Sequence, residues 1–134
     1  MTACEEALQR AGRVAPAWLR AAWSEPLGIY SPEPRYEQNA LKGFVDRLAD
    51  MLARLCGAVL NRALVAQRLV AVVLEPWRVE GGEVCKAGRR IRLVLDNGRS
   101  IDVFVAVVYG PEGGVRGAVV ESEELGCRGA WGQV

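Results

Sequence analysis

Ile91-Arg92-Leu93-Val94-Leu95-Asp96-Asn97-Gly98-Arg99-Ser100-Ile101-Asp102-Val103-Phe104-Val105 is the stretch that decides the fold. Two runs rich in β-branched residues and leucine flank Asp-Asn-Gly, which is the pattern of a β-hairpin. Side chains alternate across a strand with a period of two, so the length of the turn selects which residues share a face. Looping out Asn97 and Gly98 alone sets Ile91, Leu93 and Leu95 beside Ser100, Asp102 and Phe104. A three-residue loop, Asn97-Gly98-Arg99 with Gly98 free to take positive φ, aligns them instead with Val105, Val103 and Ile101. That register gathers the apolar residues on one face and sends Arg90, Arg92 and Phe104 to the other.

Outward from the hairpin, further strands are expected at Leu69–Leu74, Ile101–Tyr109 and Val115–Val120, giving with Ile91–Leu95 a four-stranded antiparallel meander. Pro76 ends or bends the first of them and leaves Trp77 at its exit. Upstream, Leu41, Phe44, Val45, Leu48, Leu52, Leu55, Val59 and Leu60 repeat at three-and-four spacing, the stripe of a long core helix. The pattern runs on toward Gln67 with a break near Gly57. Asp50 and Arg54 on its polar face are spaced for a weak ion pair.

Thr2 and Glu5 form a capping box for a first helix from Ala3 to Ala11, with Gly12 as its stop. Pro16 opens a second helix carrying Trp18, Leu19, Ala22 and Trp23. Pro26 to Arg35, with three prolines and Tyr30, reads as an extended loop. Helices before strands imply an α+β fold, N-terminal helices packed on one face of the antiparallel sheet. The 134 residues make one domain, with a helical layer at 1–68, the sheet at 69–121 and a C-terminal tail at 122–134. The glycine-rich end of that tail is read as mobile, or as folding Trp131 back over the second sheet face.

Composition excludes several classes of function. The formal net charge is +1, so no global cationic field draws the chain to polyanions, and any nucleic-acid site must be local. Fifteen arginines stand against two lysines, a bias that GC-rich coding or heat adaptation produces as readily as selection for phosphate binding. There is no histidine, one threonine and four serines, a poor supply for acid-base or nucleophilic catalysis. No phosphate-cradling glycine loop is present, so no catalytic residues and no cofactor are expected. Cys4, Cys56, Cys85 and Cys127 lack zinc-ligand spacing, and no metal site is expected. They permit three pairings, a Cys85–Cys127 bridge among them, while Cys56 on an apolar helical face reads as a buried free thiol. Without a membrane-spanning apolar run or an apolar leader, the chain reads as soluble and cytoplasmic.

The local basic feature is the segment from Lys86 to Arg99, where Arg89, Arg90, Arg92 and Arg99 accompany Asp96 alone. Guanidinium groups beside an aromatic ring contact phosphates and stack on bases. The ordinary alternative is a solvated face whose arginine stems cover Phe104. Candidate contacts are therefore Arg90, Arg92, Arg89, Arg99 and Lys86 for the backbone, with Trp18, Trp23, Tyr30, Trp77 and Phe104 for stacking. Some of these aromatic residues must belong to the core.

Early aromatic helices with Trp18 and Trp23, a proline-rich loop with Tyr30 before Tyr36, and a meander carrying Arg90 and Arg92 together resemble the ThermoDBP family, single-stranded DNA-binding proteins of hyperthermophilic archaea. The likeness spans the chain in element order and residue type, without a short diagnostic motif. It implies a helical layer on an antiparallel sheet, with an aromatic and basic cleft that takes single-stranded DNA or RNA. It also implies a C-terminal oligomerisation helix in fuller-length members, whereas Gly129-Ala130-Trp131-Gly132-Gln133-Val134 carries no heptads. A protein-interaction module or homodimer built on the exposed sheet face is the alternative.

Overall fold

The computed structural model describes residues 2–23, 35–82 and 84–134, and of residues 35–40 the backbone alone. Helix α1 (Ala3–Val14) is followed by a 3₁₀ turn (Arg20–Ala22), a long helix α2 (Arg35–Cys56) and a short helix α3 (Arg62–Arg68). Six strands follow: β1 (Leu69–Leu74), β2 (Arg78–Glu80), β3 (Cys85–Leu95), β4 (Ser100–Tyr109), β5 (Val115–Ser122) and β6 (Cys127–Gly132). All pair antiparallel in one open sheet of order β1-β3-β4-β5-β6, with β2 continuing along the outer flank of β3 beyond β1. The expected α+β arrangement and all four expected strands are present, and β2 and β6 enlarge the sheet.

Helices cover one face of this sheet, α1 against β2, β3 and β4, and α2 against β5 and β6. Strand alternation explains why that face is apolar. Ile91 and Leu93 of β3, Val103, Val105, Val107 and Tyr109 of β4, and Ala118 and Val120 of β5 are fully buried. They meet Leu8 and Ala11 of α1 and the stripe Phe44, Val45, Leu48, Met51 and Leu52 of α2. The α2 pattern breaks after Cys56, and α3 begins with the Asn61 side chain accepting from the Leu64 amide at 3.1 Å. Asp50 pairs with Arg62 of α3 rather than with Arg54.

The hairpin has the expected face parity in a register two residues from the one expected. Leu93 faces Ile101, Ile91 faces Val103 and Arg90 faces Phe104, around the loop Asp96-Asn97-Gly98. Gly98 holds φ at +81° and donates to the Leu95 carbonyl at 3.1 Å, while Leu95 donates to Arg99 at 2.8 Å. Only the parity decides burial, so a shift of two leaves every core residue inside. β3 also begins earlier than expected, at Cys85, because β4 runs apolar as far as Tyr109 and Cys85 pairs with it there.

Three further expectations are corrected. First, α1 does not stop at Gly12 but runs to Val14; the missing side chain at Gly12 makes room for Trp23, whose ring a Cβ there would meet at 2.5 Å. Second, no regular helix spans Trp18 to Trp23. The Leu19 and Arg20 amides both donate to the Pro16 carbonyl, at 2.9 and 3.1 Å, and Leu19, Ala21 and Ala22 are all buried, which a one-sided helix would not allow. Third, the tail is neither mobile by virtue of its glycines nor folded over the second face. It pairs with β5 as β6, and Gly129 is needed because a Cβ at that position would stand 1.6 Å from the Leu55 carbonyl oxygen at the end of α2.

The disulfides are Cys4–Cys85 and Cys56–Cys127, so Cys56 is not a free thiol and Cys85 does not pair with Cys127. β4 and β5 separate those two strands, which sets them about 14 Å apart, too far for a bridge. Each observed bridge fastens a helix end to a strand start: the first turn of α1 to β3, and the last residue of α2 to β6. They close 81 and 71 residues, separations at which loop-closure entropy favours the folded chain by about 4 kcal/mol per bridge, without strict additivity.

The approach of α2 to β6 makes Gly129→Ala the most disruptive small substitution in the tail. We expect a loss of about 3 kcal/mol in denaturant unfolding, because backbone rather than a flexible side chain blocks the methyl group. Tyr109 offers a pH test. Its buried hydroxyl donates to the Cys4 carbonyl at 2.9 Å, and burial first, then the charge of Glu5, raises its pKa above the ordinary 10.0. Below that value both folded and unfolded chains keep the proton; above it the unfolded chain loses the proton first, so stability falls as pH rises. Tyr109→Phe should cost about 1–2 kcal/mol at neutral pH by leaving the carbonyl unpaired. Its stability should then decline less steeply than wild type from about pH 10 upward, measured by urea unfolding.

Candidate functional site

The face of the sheet away from α1 and α2 carries the feature of interest. Between Leu74↔Ile91 and Arg78↔Gly88 the first strand has one residue more than its partner, so Pro76 and Trp77 together stand opposite Arg89. Pro76 has no N–H for the ladder, which explains the break between β1 and β2. Glu75 still donates its amide to the Arg90 carbonyl at 3.0 Å. Beside the bulge lies an open groove of about 550 Å³, with Phe104, Ala106 and Gly88 among its lining and Glu75, Pro76, Arg78, Glu80, Lys86 and Arg90 around them.

Gly88 shapes this groove. A Cβ there would meet the tip of the Phe104 ring at 3.0 Å, so the ring lies across the glycine, diagonal to its own partner Arg90. The ring is 40% exposed, unusual for a phenylalanine in mid-strand. A glycine inside a strand is a sequence signal of close approach, and the alternation of Arg78 and Glu80 about Val79 is the signal of a further short strand.

Electrostatically the face is nearly balanced. Arg92 and Asp102 are joined by two hydrogen bonds, 2.9 and 3.2 Å, and this pairing raises the Arg92 pKa further above its ordinary value. Arg90 stands 4.0 Å from Glu75, Glu80 faces Lys86 across the strands, and Arg128 lies 3.7 Å from Glu121. These exposed pairs contribute little to stability and separate readily for a competing charge. Arg78 is opposite Gly88 and makes no ion pair among the described residues.

Of the residues singled out in the sequence, Arg90, Arg92, Lys86 and Phe104 come together on this face. Of the others, Arg89 also lines the groove, and the described aromatic residues apart from Phe104 do not. Arg89 belongs to the opposite parity, and its guanidinium donates to the Glu75 carbonyl at 2.7 Å and the Ala22 carbonyl at 3.2 Å, 4.8 Å from the centre of the Trp77 ring. Trp77 packs on Trp23 at 5.6 Å on the helix side. Trp18 lies at the other end of the helical layer, edge-on to Trp131 at 5.4 Å with Arg54 against its ring. Arg99 is exposed in the hairpin turn, and Tyr30 lies outside the described residues. No group of carboxylates and cysteines that could hold a metal ion occurs among the described residues, and none of their helices is long and apolar enough to cross a membrane.

The two neighbouring arginines therefore have different work. Arg89→Ala removes the donor to two carbonyls and uncovers Trp77, and should lower unfolding stability by about 1–3 kcal/mol. Arg90→Ala should change stability by less than about 1 kcal/mol in the same urea measurement. No family model, curated protein or solved structure matches this chain.

Proposed function

We propose that this protein is a non-catalytic, sequence-tolerant binding module for single-stranded nucleic acid, using the open sheet face. The observation that carries the reading is the Phe104 ring, exposed across Gly88 in a groove bordered by Arg78, Lys86 and Arg90. An aromatic face stacks on any base, and flanking cations follow a phosphate backbone without reading sequence. On this reading the contact comprises Phe104, Lys86 and Arg90 with Arg78 added, while Arg89, Trp23 and Trp77 serve packing. Arg92 joins only if Asp102 releases it. The resemblance to the ThermoDBP family of hyperthermophilic archaea supports the same class of partner, DNA or RNA.

One observation favours a second reading, a protein-interaction module: Glu75, Glu80 and Asp102 leave the face close to neutral, which suits a mixed-charge polypeptide as well as a polyanion. Titration of a labelled oligonucleotide at several salt concentrations separates the two. Binding should prefer single over double strands and weaken as salt rises. Arg78→Ala with Arg90→Ala should reduce the slope of log affinity against log salt by about 1.4, the loss of two phosphate contacts. Phe104→Ala should cost about 1–3 kcal/mol of affinity. No binding at low salt, or binding indifferent to both changes, would overturn the proposal in favour of the second reading.

A further inference from the structure

The two disulfides sit at opposite poles of their helices. Cys4 belongs to the first turn of α1, where unpaired backbone amides stabilise a thiolate, whereas Cys56 is the last residue of α2, where unpaired carbonyls oppose one. Neighbouring charges do not reverse this order. Glu5 turns its carboxylate back to the Thr2 amide at 2.8 Å, Glu6 is two positions on and points away around the helix, and Arg54 lies against the Trp18 ring. Lys86 and Arg128 alternate to the open face, away from Cys85 and Cys127. Thiol–disulfide exchange is faster when the departing sulfur forms the more stable thiolate, which favours Cys4–Cys85 as the bridge that opens first. The bridges also hold different things. Cys85 adjoins Lys86, and β2 pairs, among the described residues, only with β3, through Arg78↔Gly88, Val79↔Ala87 and Glu80↔Lys86. Beyond β2, Gly81 packs on the bridge, with a Cβ there 3.4 Å from the Cys4 Sγ. Arg78, Glu80 and Lys86 form one side of the groove, while Phe104 belongs to β4, paired on both flanks. Apart from the bridge, α1 buries only Ala7, Leu8 and Ala11, and its Cys4 carbonyl accepts from Tyr109. Neither Cys56 nor Cys127 lines the groove.

We propose that Cys4–Cys85 is a redox-sensitive clamp on the groove: a dithiol reductant opens it before Cys56–Cys127 and loosens the corner formed by β2 and the start of β3, while the rest of the sheet stays paired. A thiolate of the reductant attacks the Cys85 sulfur, and Cys4 leaves as the thiolate held at the helix start. The second thiol of the reductant then displaces Cys85, so the reductant ends as its own disulfide, its two electrons reduce the bridge and its two protons pass to the cysteines. With the corner loosened, Arg78 and Lys86 lose their fixed place beside Phe104. Control of nucleic-acid binding by this route rests on the sheet-face reading; the clamp itself does not.

Limited reduction tests the clamp. When the oxidised chain is titrated with dithiothreitol, quenched with iodoacetamide and mapped by peptide mass, Cys4 and Cys85 should be alkylated at lower reductant concentration than Cys56 and Cys127. Hydrogen exchange of the partly reduced chain should quicken at least about tenfold in Arg78–Glu80 and at the start of β3, and stay unchanged in β5. An oligonucleotide that binds the oxidised chain should bind the partly reduced one at least about threefold more weakly. Cys4→Ser with Cys85→Ser should reproduce that loss and Cys56→Ser with Cys127→Ser should not; if either pair of changes prevents folding, the partly reduced wild-type chain decides. Opening of Cys56–Cys127 first or at the same concentration, or exchange that is unaltered in β2 or rises alike through the whole sheet, would overturn the clamp. Quickened exchange with unchanged oligonucleotide affinity would overturn its control of binding. An oxidised chain that binds no oligonucleotide sinks the sheet-face reading instead, and exchange alone then judges the clamp.

Discussion

The constraint on which the rest depends is the parity of the β3–β4 hairpin. A three-residue loop with Gly98 in the left-handed region places Ile91 and Leu93 on the same face as Ile101, Val103 and Val105. Reversing that parity would turn valine and isoleucine to solvent and bring Arg90, Arg92 and Asp102 against α1 and α2, where unsolvated charge is costly. Once parity is set, the flanking strands inherit it through their ladders. The helices can then cover one face only, and the other stays open.

Two close approaches on the covered side set an aromatic ring or backbone against glycine. Trp23 lies on Gly12 of α1, and the end of α2 lies on Gly129 of β6. These contacts, with Cys4–Cys85 and Cys56–Cys127, hold each helix to a different part of the sheet. Arg89 belongs to the same framework: it satisfies carbonyls of the bulge and of the 3₁₀ turn while covering Trp77. The tryptophans thus serve cohesion, in two pairs that brace the helical layer.

The open face repeats one of these devices for a different end. Phe104 lies across Gly88, yet no second layer among the described residues buries it, and Pro76 lines the groove beside it. Cross-strand carboxylates keep the face near neutrality and hold the arginines only weakly.

What the sequence determined by itself was whatever depends on local period and local chemistry: the capping box at Thr2, the long stripe of α2 with its break near Gly57, the strand cores, and the side of the sheet on which Arg90 and Phe104 emerge. Tertiary structure alone decided the rest. Which cysteines meet, why Gly12 and Gly129 are glycine, and which carbonyls Arg89 satisfies all follow from contacts between separate segments, which no local pattern encodes. The tail is the plainest case. Gly129 and Gly132 weaken a strand reading taken alone, yet β5 supplies the ladder and α2 requires the close approach, so the same glycines that argued for mobility are the condition for docking.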